Sequence, residues 1–246
     1  MRDISFLKGK VAVVTGAAGG IGEAICKKLA ADYGMDLVIT GRKSATLEPL
    51  AKELEKTGVR VKTVTGDLSS LGFVDEVIRA ANEGFGGFDV LINNAGLSHH
   101  CTVEEMTPEL FDSIMAVNVR APYFMCQKAL PVLRGSDCAT IINICSVVAH
   151  KGYVFQSAYA ASKHALLGLS KSLANEVYKE NIRVHVISPG GVFTPMIALT
   201  RPELSSDGMM LPEDIAEMVG FYLEMRRSNA VIDEMESHRV TKEPFA

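Results

Sequence analysis

Three side chains in the stretch 140–163 are of the kind that can handle a carbonyl oxygen: Ser146, Tyr159 and Lys163. Tyr159 and Lys163 stand four residues apart, which on a helix puts both on one face, one turn from each other. A free phenol titrates near ~10 and is idle as a proton shuttle at neutral pH. Lowering a phenol by about three pH units takes roughly 4 kcal/mol of preference for the phenolate. An ammonium one turn away, in a partly desolvated cleft, is a physical source of that preference. Add a serine hydroxyl, and the set can hold a carbonyl oxygen and protonate it. Tyrosine and lysine one turn apart also occur on ordinary amphipathic helices, so the pair gains meaning only from the elements around it.

Those elements are legible. Residues 140–145 (TIINIC) are apolar at both alternating sets of positions, the pattern of a strand buried on both faces, so Ser146 sits where the chain leaves a sheet. A helical period over 159–178 then carries Tyr159 and Lys163. At the other end of the chain, 10–15 (KVAVVT) reads as a buried strand, breaks into the glycine turn Gly16-Ala17-Ala18-Gly19-Gly20-Ile21-Gly22, and continues as a helix over 21–32. Strand, glycine turn and helix open a nucleotide-binding βαβ unit, here as TGxxxGxG rather than GxGxxG. Gly16 permits the turn, Gly20 lets backbone approach a pyrophosphate, and Gly22 lets helix and strand pack closely. The unpaired N–H groups and dipole of the helix N-terminus favour phosphate.

A second strand over 37–40 ends in Gly41-Arg42-Lys43, where NAD-binding units place a carboxylate for the ribose 2′-hydroxyl. Arg42 stands there instead, and its planar donors suit a 2′-phosphate, so the reading is NADP(H) in preference to NAD(H). A solvated surface arginine is the plainer alternative. Further strands are expected over 61–65, 89–92 and 183–188, with helices over 46–56, 71–82, from 107–108 onward, and 212–226. Asp67, closing the third strand, is placed to accept from an adenine amino group, with helix capping falling to Ser69 and Ser70. Asn93-Asn94-Ala95-Gly96 closes the fourth strand with residues small enough for a flat cofactor to lie on backbone. Asn118, polar within an apolar helical stretch, is either structural glue or part of a polar relay. Pro189-Gly190-Gly191 ends the sixth strand, and 193–210 reads as a substrate lid. Strands alternating with helices, with no linker or repeat, imply one α/β domain over 1–246, a doubly wound parallel sheet covered by helices on both faces.

Composition narrows the function. A net charge of −4 gives no basic surface for nucleic acid. No apolar stretch is long enough to cross a bilayer, and the first residues carry no signal-peptide core, so the expectation is a cytoplasmic protein without membrane attachment. Five cysteines, Cys26, Cys101, Cys126, Cys138 and Cys145, show no CxxC or metal-ligand spacing, as expected of reduced thiols. The neighbouring His99 and His100 have no acid or cysteine cluster to complete a metal site and read as rim residues of a substrate mouth. Val147, Val148 and Tyr153 suggest an apolar wall, Met196, Met209 and Met210 an adaptable lid, and Arg201 a partner for a substrate carboxylate.

Taken together, Thr15-Gly16-x-x-x-Gly20-x-Gly22, Asn93-Asn94-Ala95-Gly96, Asn118, Ser146, Tyr159-x-x-x-Lys163 and Pro189-Gly190 resemble the classical short-chain dehydrogenase/reductase family in order and separation. The resemblance implies a Rossmann-type fold and a small carbonyl or alcohol substrate. It implies Tyr159 as general acid or base, Ser146 holding the substrate oxygen, Lys163 making the phenol more acidic and binding the nicotinamide ribose, and Asn118 holding a relay water. Cofactor contacts would fall to Gly16, Gly20, Ile21 and Gly22 at the phosphates and to Asp67 and Leu68 near the adenine. Asn94, Ala95 and Gly96 would lie beside the ribose, and Pro189, Gly190, Val192 and Thr194 near the nicotinamide. A homodimer or homotetramer is implied as well. Two departures stand out. Gly19 occupies a position where NADP-preferring members often carry a basic residue, leaving Arg42 and Lys43 to bind the phosphate. The tail 229–246 lacks the glycine-rich final strand of β-ketoacyl reductase-like members, which moves the expected substrate from β-ketoacyl-acyl carrier protein, an alternative reading, toward small ketones, keto acids or hydroxy acids. A catalytically silent NADP-binding regulator is the alternative of another class; its mark would be a broken Ser–Tyr–Lys set, and this set is whole.

Overall fold

The computed structural model describes residues 3–195, 197 and 205–243. Seven parallel strands form one sheet in the order β3-β2-β1-β4-β5-β6-β7. They are β1 (Val11–Val14), β2 (Asp36–Gly41), β3 (Val61–Thr65), β4 (Val90–Asn93), β5 (Thr140–Ile144), β6 (Arg183–Pro189) and β7 (Glu234–Ser237). The long helices are α1 (Gly20–Tyr33), α2 (Ser44–Glu55), α3 (Leu71–Phe85), α4 (Pro108–Met115), α5 (Ala121–Leu133), α6 (Ser157–Val177) and α7 (Pro212–Glu224).

Parallel strands must be covered on both faces, because their crossovers are helices. The alternation of side chains along β1 shows how the sequence meets that demand. Ala12 and Val14 face a core shared with Ile25 and Leu29 of α1, Leu47 and Leu54 of α2, and Ile215 and Val219 of α7. Val11 and Val13 face the opposite core, with Phe73 and Val77 of α3, Met125 and Ala129 of α5, and Leu173 of α6. Each fully buried aliphatic side chain of this kind stabilises the fold by about 2 kcal/mol. The strand order reverses between β1 and β4, and the crevice at the carboxyl ends of those strands is where such sheets take ligands. The Gly16 turn and the Asn93–Gly96 segment both open into it.

Two features depart from the pattern the sequence suggested. Between α4 and α5 the helix widens into one π turn, Ala116–Arg120, closed by the Ala121 N–H donating to the Ala116 carbonyl. Pro122 explains the widening: it has no N–H for the Asn118 carbonyl, and its ring would crowd that oxygen in a regular turn. The second is β7. The segment Glu-Met-Glu-Ser carries none of the β-branched residues that mark a strand, yet it pairs in parallel with β6, Val186 opposite Glu234 and Pro189 opposite Ser237. The reason is the neighbour: β6 would otherwise present an open hydrogen-bonding edge, and β7 closes it. The sheet therefore gains a strand where only a tail was expected.

Candidate active site

The glycine turn is built by close approach. Gly16 adopts φ +65°, and a Cβ on it would lie 2.9 Å from the Ala95 Cα. A Cβ on Gly22 would press on the Gly16 carbonyl oxygen and lie 2.6 Å from the Asn94 side-chain nitrogen. Thr15 and Asn94 then bolt the turn to the end of β4. The Thr15 hydroxyl accepts from the N–H groups of Asn94 (3.0 Å) and Ala95 (3.1 Å), and the Asn94 amide donates to the carbonyls of Thr15 (2.9 Å) and Gly16 (3.1 Å). Ile21 enters α1 directly behind this turn, and Gly19, the N-cap of α1, offers no side chain to cap it. A helix N-terminus behind a glycine turn, with no side chain capping it, is a cradle that fits a pyrophosphate. Thr194 closes the cradle from the other side: a Cβ on Gly20 would come within 2.8 Å of the Thr194 methyl. Val192, buried, holds that segment in place through a bridge to Met210.

At the adenine end, Arg42 is exposed just past β2. Asp67 accepts from the Ser69 N–H at 2.8 Å in a turn ahead of α3, and Ser70 is the N-cap of α3, as expected, though without a side-chain hydrogen bond. A carboxylate reaching its own backbone two residues on is the common Asx arrangement. Leu68 packs against the core under α3.

Of the three residues singled out first, Ser146 follows the end of β5, and Tyr159 and Lys163 lie in the first turns of α6. Lys163 is 3% exposed, and its ammonium donates to the Ile144 carbonyl at 2.8 Å, two residues before Ser146. The same nitrogen lies 5.7 Å from the Tyr159 ring centre. A lysine ammonium has three protons to donate, so the Ile144 bond leaves two for other acceptors. The Ser146 hydroxyl, also buried, donates to the Pro189 carbonyl at 3.4 Å, which ties the end of β5 to the Pro189-Gly190 turn. The Tyr159 hydroxyl is half-buried and forms no hydrogen bond among the described residues.

Asn118 is fully buried on the π turn. Its oxygen accepts from the Leu97 N–H at 2.7 Å, and its nitrogen donates to the Leu97 carbonyl at 2.8 Å and to the Ser162 hydroxyl at 3.0 Å. Ser162 in turn donates to the Tyr159 carbonyl at 2.7 Å. Gly96 stands between the groups: a Cβ there would be 3.7 Å from the Asn118 oxygen and 3.8 Å from the Lys163 nitrogen. Sequence reasoning did not single out Ser162 or the Thr15 hydroxyl. Ser162 lies one turn beyond Tyr159 in an alanine-rich run, a small polar residue whose purpose only the neighbouring π turn reveals. A second buried ladder, Asn93 to Asn143 (2.8 Å) to Ser170 (2.8 Å), stitches β4, β5 and α6 behind the site.

The surrounding expectations divide. Val147 and Val148 are buried, while Tyr153 is more than a third exposed and accepts from Lys242 at 3.2 Å. Met209 and Met210 are buried, their methyls against Gly191 and Gly190. Arg201 and Met196 lie outside the described residues. His100 is 2.6 Å from the Gln156 amide nitrogen at the mouth. All five cysteines are free, and burial pushes the Cys126 thiol up to about 12 and Cys138 up to about 11, so neither serves as a thiolate at neutral pH. Among the described residues no group of three His, Cys, Asp or Glu side chains is arranged to hold a metal, and no helix is long and apolar enough to cross a membrane.

A doubly wound sheet with a glycine cradle at its switch point and a serine, tyrosine and lysine at the next strand end describes an oxidoreductase built on a nucleotide-binding fold. The family model described as short chain dehydrogenase matches residues 10–205, and the chain belongs to that family, whose members act on CH–OH groups. The D-beta-hydroxybutyrate dehydrogenase of Cupriavidus necator is 35% identical over 191 residues, covering 78% of this chain and 74% of that protein. The L-sorbose reductase of Gluconobacter frateurii, solved with NADPH and L-sorbose, superposes with a TM-score of 0.87 at 31% identity, covering 94% of this chain and 96% of that one. The 3-ketoacyl-(acyl-carrier-protein) reductase of Brucella melitensis, solved with NADH, gives 0.84 at 31% identity, with 94% and 97% covered.

Proposed function

We propose that this protein interconverts a carbonyl and a secondary alcohol using NADP(H), with Tyr159 as the general acid and base. The observation that carries the reading is the placement of the Lys163 ammonium. It is buried, anchored on the Ile144 carbonyl beside Ser146, and 5.7 Å from the Tyr159 ring centre. Its remaining protons are free for a ribose hydroxyl.

The residues present fit a dinucleotide: the cradle of Gly16, Gly20, Ile21 and Gly22 takes the phosphates. Asp67 and Leu68 flank the adenine, Asn94, Ala95 and Gly96 the ribose, and Pro189, Gly190, Val192 and Thr194 the nicotinamide. Bound there, the dihydronicotinamide supplies the hydride. Ser146 holds the substrate oxygen by a hydrogen bond, and Tyr159 gives it a proton in reduction or takes one in oxidation. Asn118 fixes Leu97, and through it the Asn94–Gly96 segment, and is the residue we assign to a relay water. Of the two solved neighbours, one was determined with NADPH and the other with NADH. Cofactor choice in this chain therefore rests on Arg42, exposed where a 2′-phosphate would lie. The whole of 1–246 acts as one cofactor-binding and catalytic domain. We read it as cytoplasmic and as a homodimer or homotetramer, the exposed Phe111 and Tyr123 being apolar surface for assembly.

The test is NADPH oxidation against a panel of ketones and keto acids. Tyr159→Phe is expected to abolish turnover while leaving NADPH affinity within about twofold. Appreciable residual turnover refutes the role of Tyr159, tighter NADH than NADPH binding refutes the cofactor choice, and tight cofactor binding with no turnover on any substrate favours a regulator over an enzyme.

A further inference from the structure

The C-terminal tail does more than close the sheet. Beyond β7 the chain runs His238-Arg239-Val240-Thr241-Lys242, three basic side chains in five residues. It folds over the carboxyl edge in one turn, closed by the Lys242 N–H donating to the Arg239 carbonyl at 2.9 Å. Three contacts lock that turn over the crevice. The Gly190 N–H donates to the Ser237 carbonyl at 2.8 Å. Thr241 packs on Gly208, filling the space a Cβ there would need. Lys242 reaches the Tyr153 hydroxyl on the segment between Ser146 and Tyr159. The tail therefore spans from the Pro189-Gly190 turn to the segment preceding α6, across the side of the site away from the glycine cradle.

Arg239 is the side chain this fold leaves unspent. It is half-buried, its Cδ and Nε standing 3.2 and 3.5 Å from where a Gly191 Cβ would be. Among the described residues it has no carboxylate or carbonyl partner, and Glu236 and Glu243, the nearby acids on the tail, make no ion pair with it. Gly191 is two residues from Pro189, whose carbonyl accepts from Ser146, and two residues span at most roughly 7 Å. Arg239 thus lies against the Pro189-Gly190-Gly191 turn, the same turn whose Pro189 carbonyl accepts from the hydroxyl assigned to the reacting oxygen. A planar fork of donors, partly desolvated and facing no anion of its own, is the arrangement that recognises a carboxylate in two parallel hydrogen bonds.

We infer that Arg239 sets substrate class, binding the carboxylate of a keto acid or hydroxy acid whose carbonyl or hydroxyl sits at Ser146 and Tyr159. Lys242 acts with it by pinning the tail to Tyr153. The inference rests on the carbonyl-reductase reading above, and the experiment separates the two. Full-length protein is assayed with NADPH on keto acids of increasing chain length and on the methyl ester of each, which differs only in charge. Wild type is expected to favour the acid at one length. Arg239→Gln is expected to raise KM for that acid 10- to 100-fold, leaving the ester and the NADPH Kd within about twofold. Arg239→Lys, which keeps charge but loses the fork, is expected to fall between. A wild type that handles ester and acid equally, or an Arg239→Gln that weakens both alike, overturns the inference while leaving the carbonyl-reductase reading intact. No turnover of any substrate by wild type overturns the reading itself.

Discussion

Asn118 offers the sharpest test of how the site is held. Asn118→Ala removes three hydrogen bonds at once, two to the backbone of Leu97 and one to Ser162. Ser162 keeps its own acceptor, the Tyr159 carbonyl, and loses only the Asn118 donor, while the N–H and C=O of Leu97 each lose their Asn118 partner. At about 1 kcal/mol for each bond, the variant should be destabilised by about 3 kcal/mol. For a chain of this size that corresponds to a melting temperature lower by about 9 °C. Asn118→Asp separates geometry from charge. Its carboxylate can still accept from the Leu97 N–H, but a second oxygen now faces the Leu97 carbonyl, and the charge is buried. Protonation restores a donor toward that carbonyl, so burial and repulsion raise the folded-state pKa of the new group above its unfolded value. The folded protein then holds a proton that the unfolded chain releases, and the stability deficit grows as pH rises above about 4. Urea denaturation of wild type, Asn118→Ala and Asn118→Asp at pH 5 and pH 8 measures both effects. The alanine deficit should be the same at the two pH values, the aspartate deficit larger at pH 8. Because Gly96 lies against both Asn118 and Lys163, kcat should fall in both variants even where they remain folded. An alanine variant within 1 kcal/mol of wild type, or an aspartate variant whose deficit ignores pH, refutes the claim that this amide holds the Leu97 segment.

Two more expectations follow from the same structure. His185 lies beneath β7, stacked on Tyr222 at 4.2 Å and hydrogen-bonded to the Ile232 carbonyl at 2.7 Å. Burial pushes its imidazole down to about 4, against the opposing pull of that bond. As pH falls from about 6.5 toward 4, the unfolded chain takes up a proton that the folded one refuses, and stability should drop by about 2–3 kcal/mol. His185→Phe should flatten that part of the urea-midpoint profile, and an unchanged slope would assign the acid sensitivity elsewhere. In the glycine turn, Gly22→Ala forces a methyl onto backbone and should cost about 3 kcal/mol and at least tenfold in NADPH affinity. Gly19→Ala, at an extended φ of −126° with its nearest atom 3.8 Å from the new Cβ, should be neutral within about 0.5 kcal/mol. Thermal melts and cofactor titration that rank the two the other way would show the cradle is built differently.

The parts of the site that could be read in the sequence are those written in short-range spacing. Strand runs buried on both faces, the glycine turn before α1 and the four-residue step from Tyr159 to Lys163 depend on chain geometry repeating over a few residues. The sequence therefore determined the doubly wound sheet and the family. Asn118 was legible only as an ambiguity, because its partners Leu97 and Ser162 are 21 and 44 residues away and meet it only through the π turn that Pro122 enforces. The seventh strand was not legible at all: nothing in Glu-Met-Glu-Ser prefers a strand, and it pairs because β6 needs an edge partner. With that strand comes the placement of Arg239 over Gly191. A polar tail has no periodicity to say where it goes, so only the closing of the sheet, a long-range hydrogen-bonding requirement, decided which cation lies against Gly191.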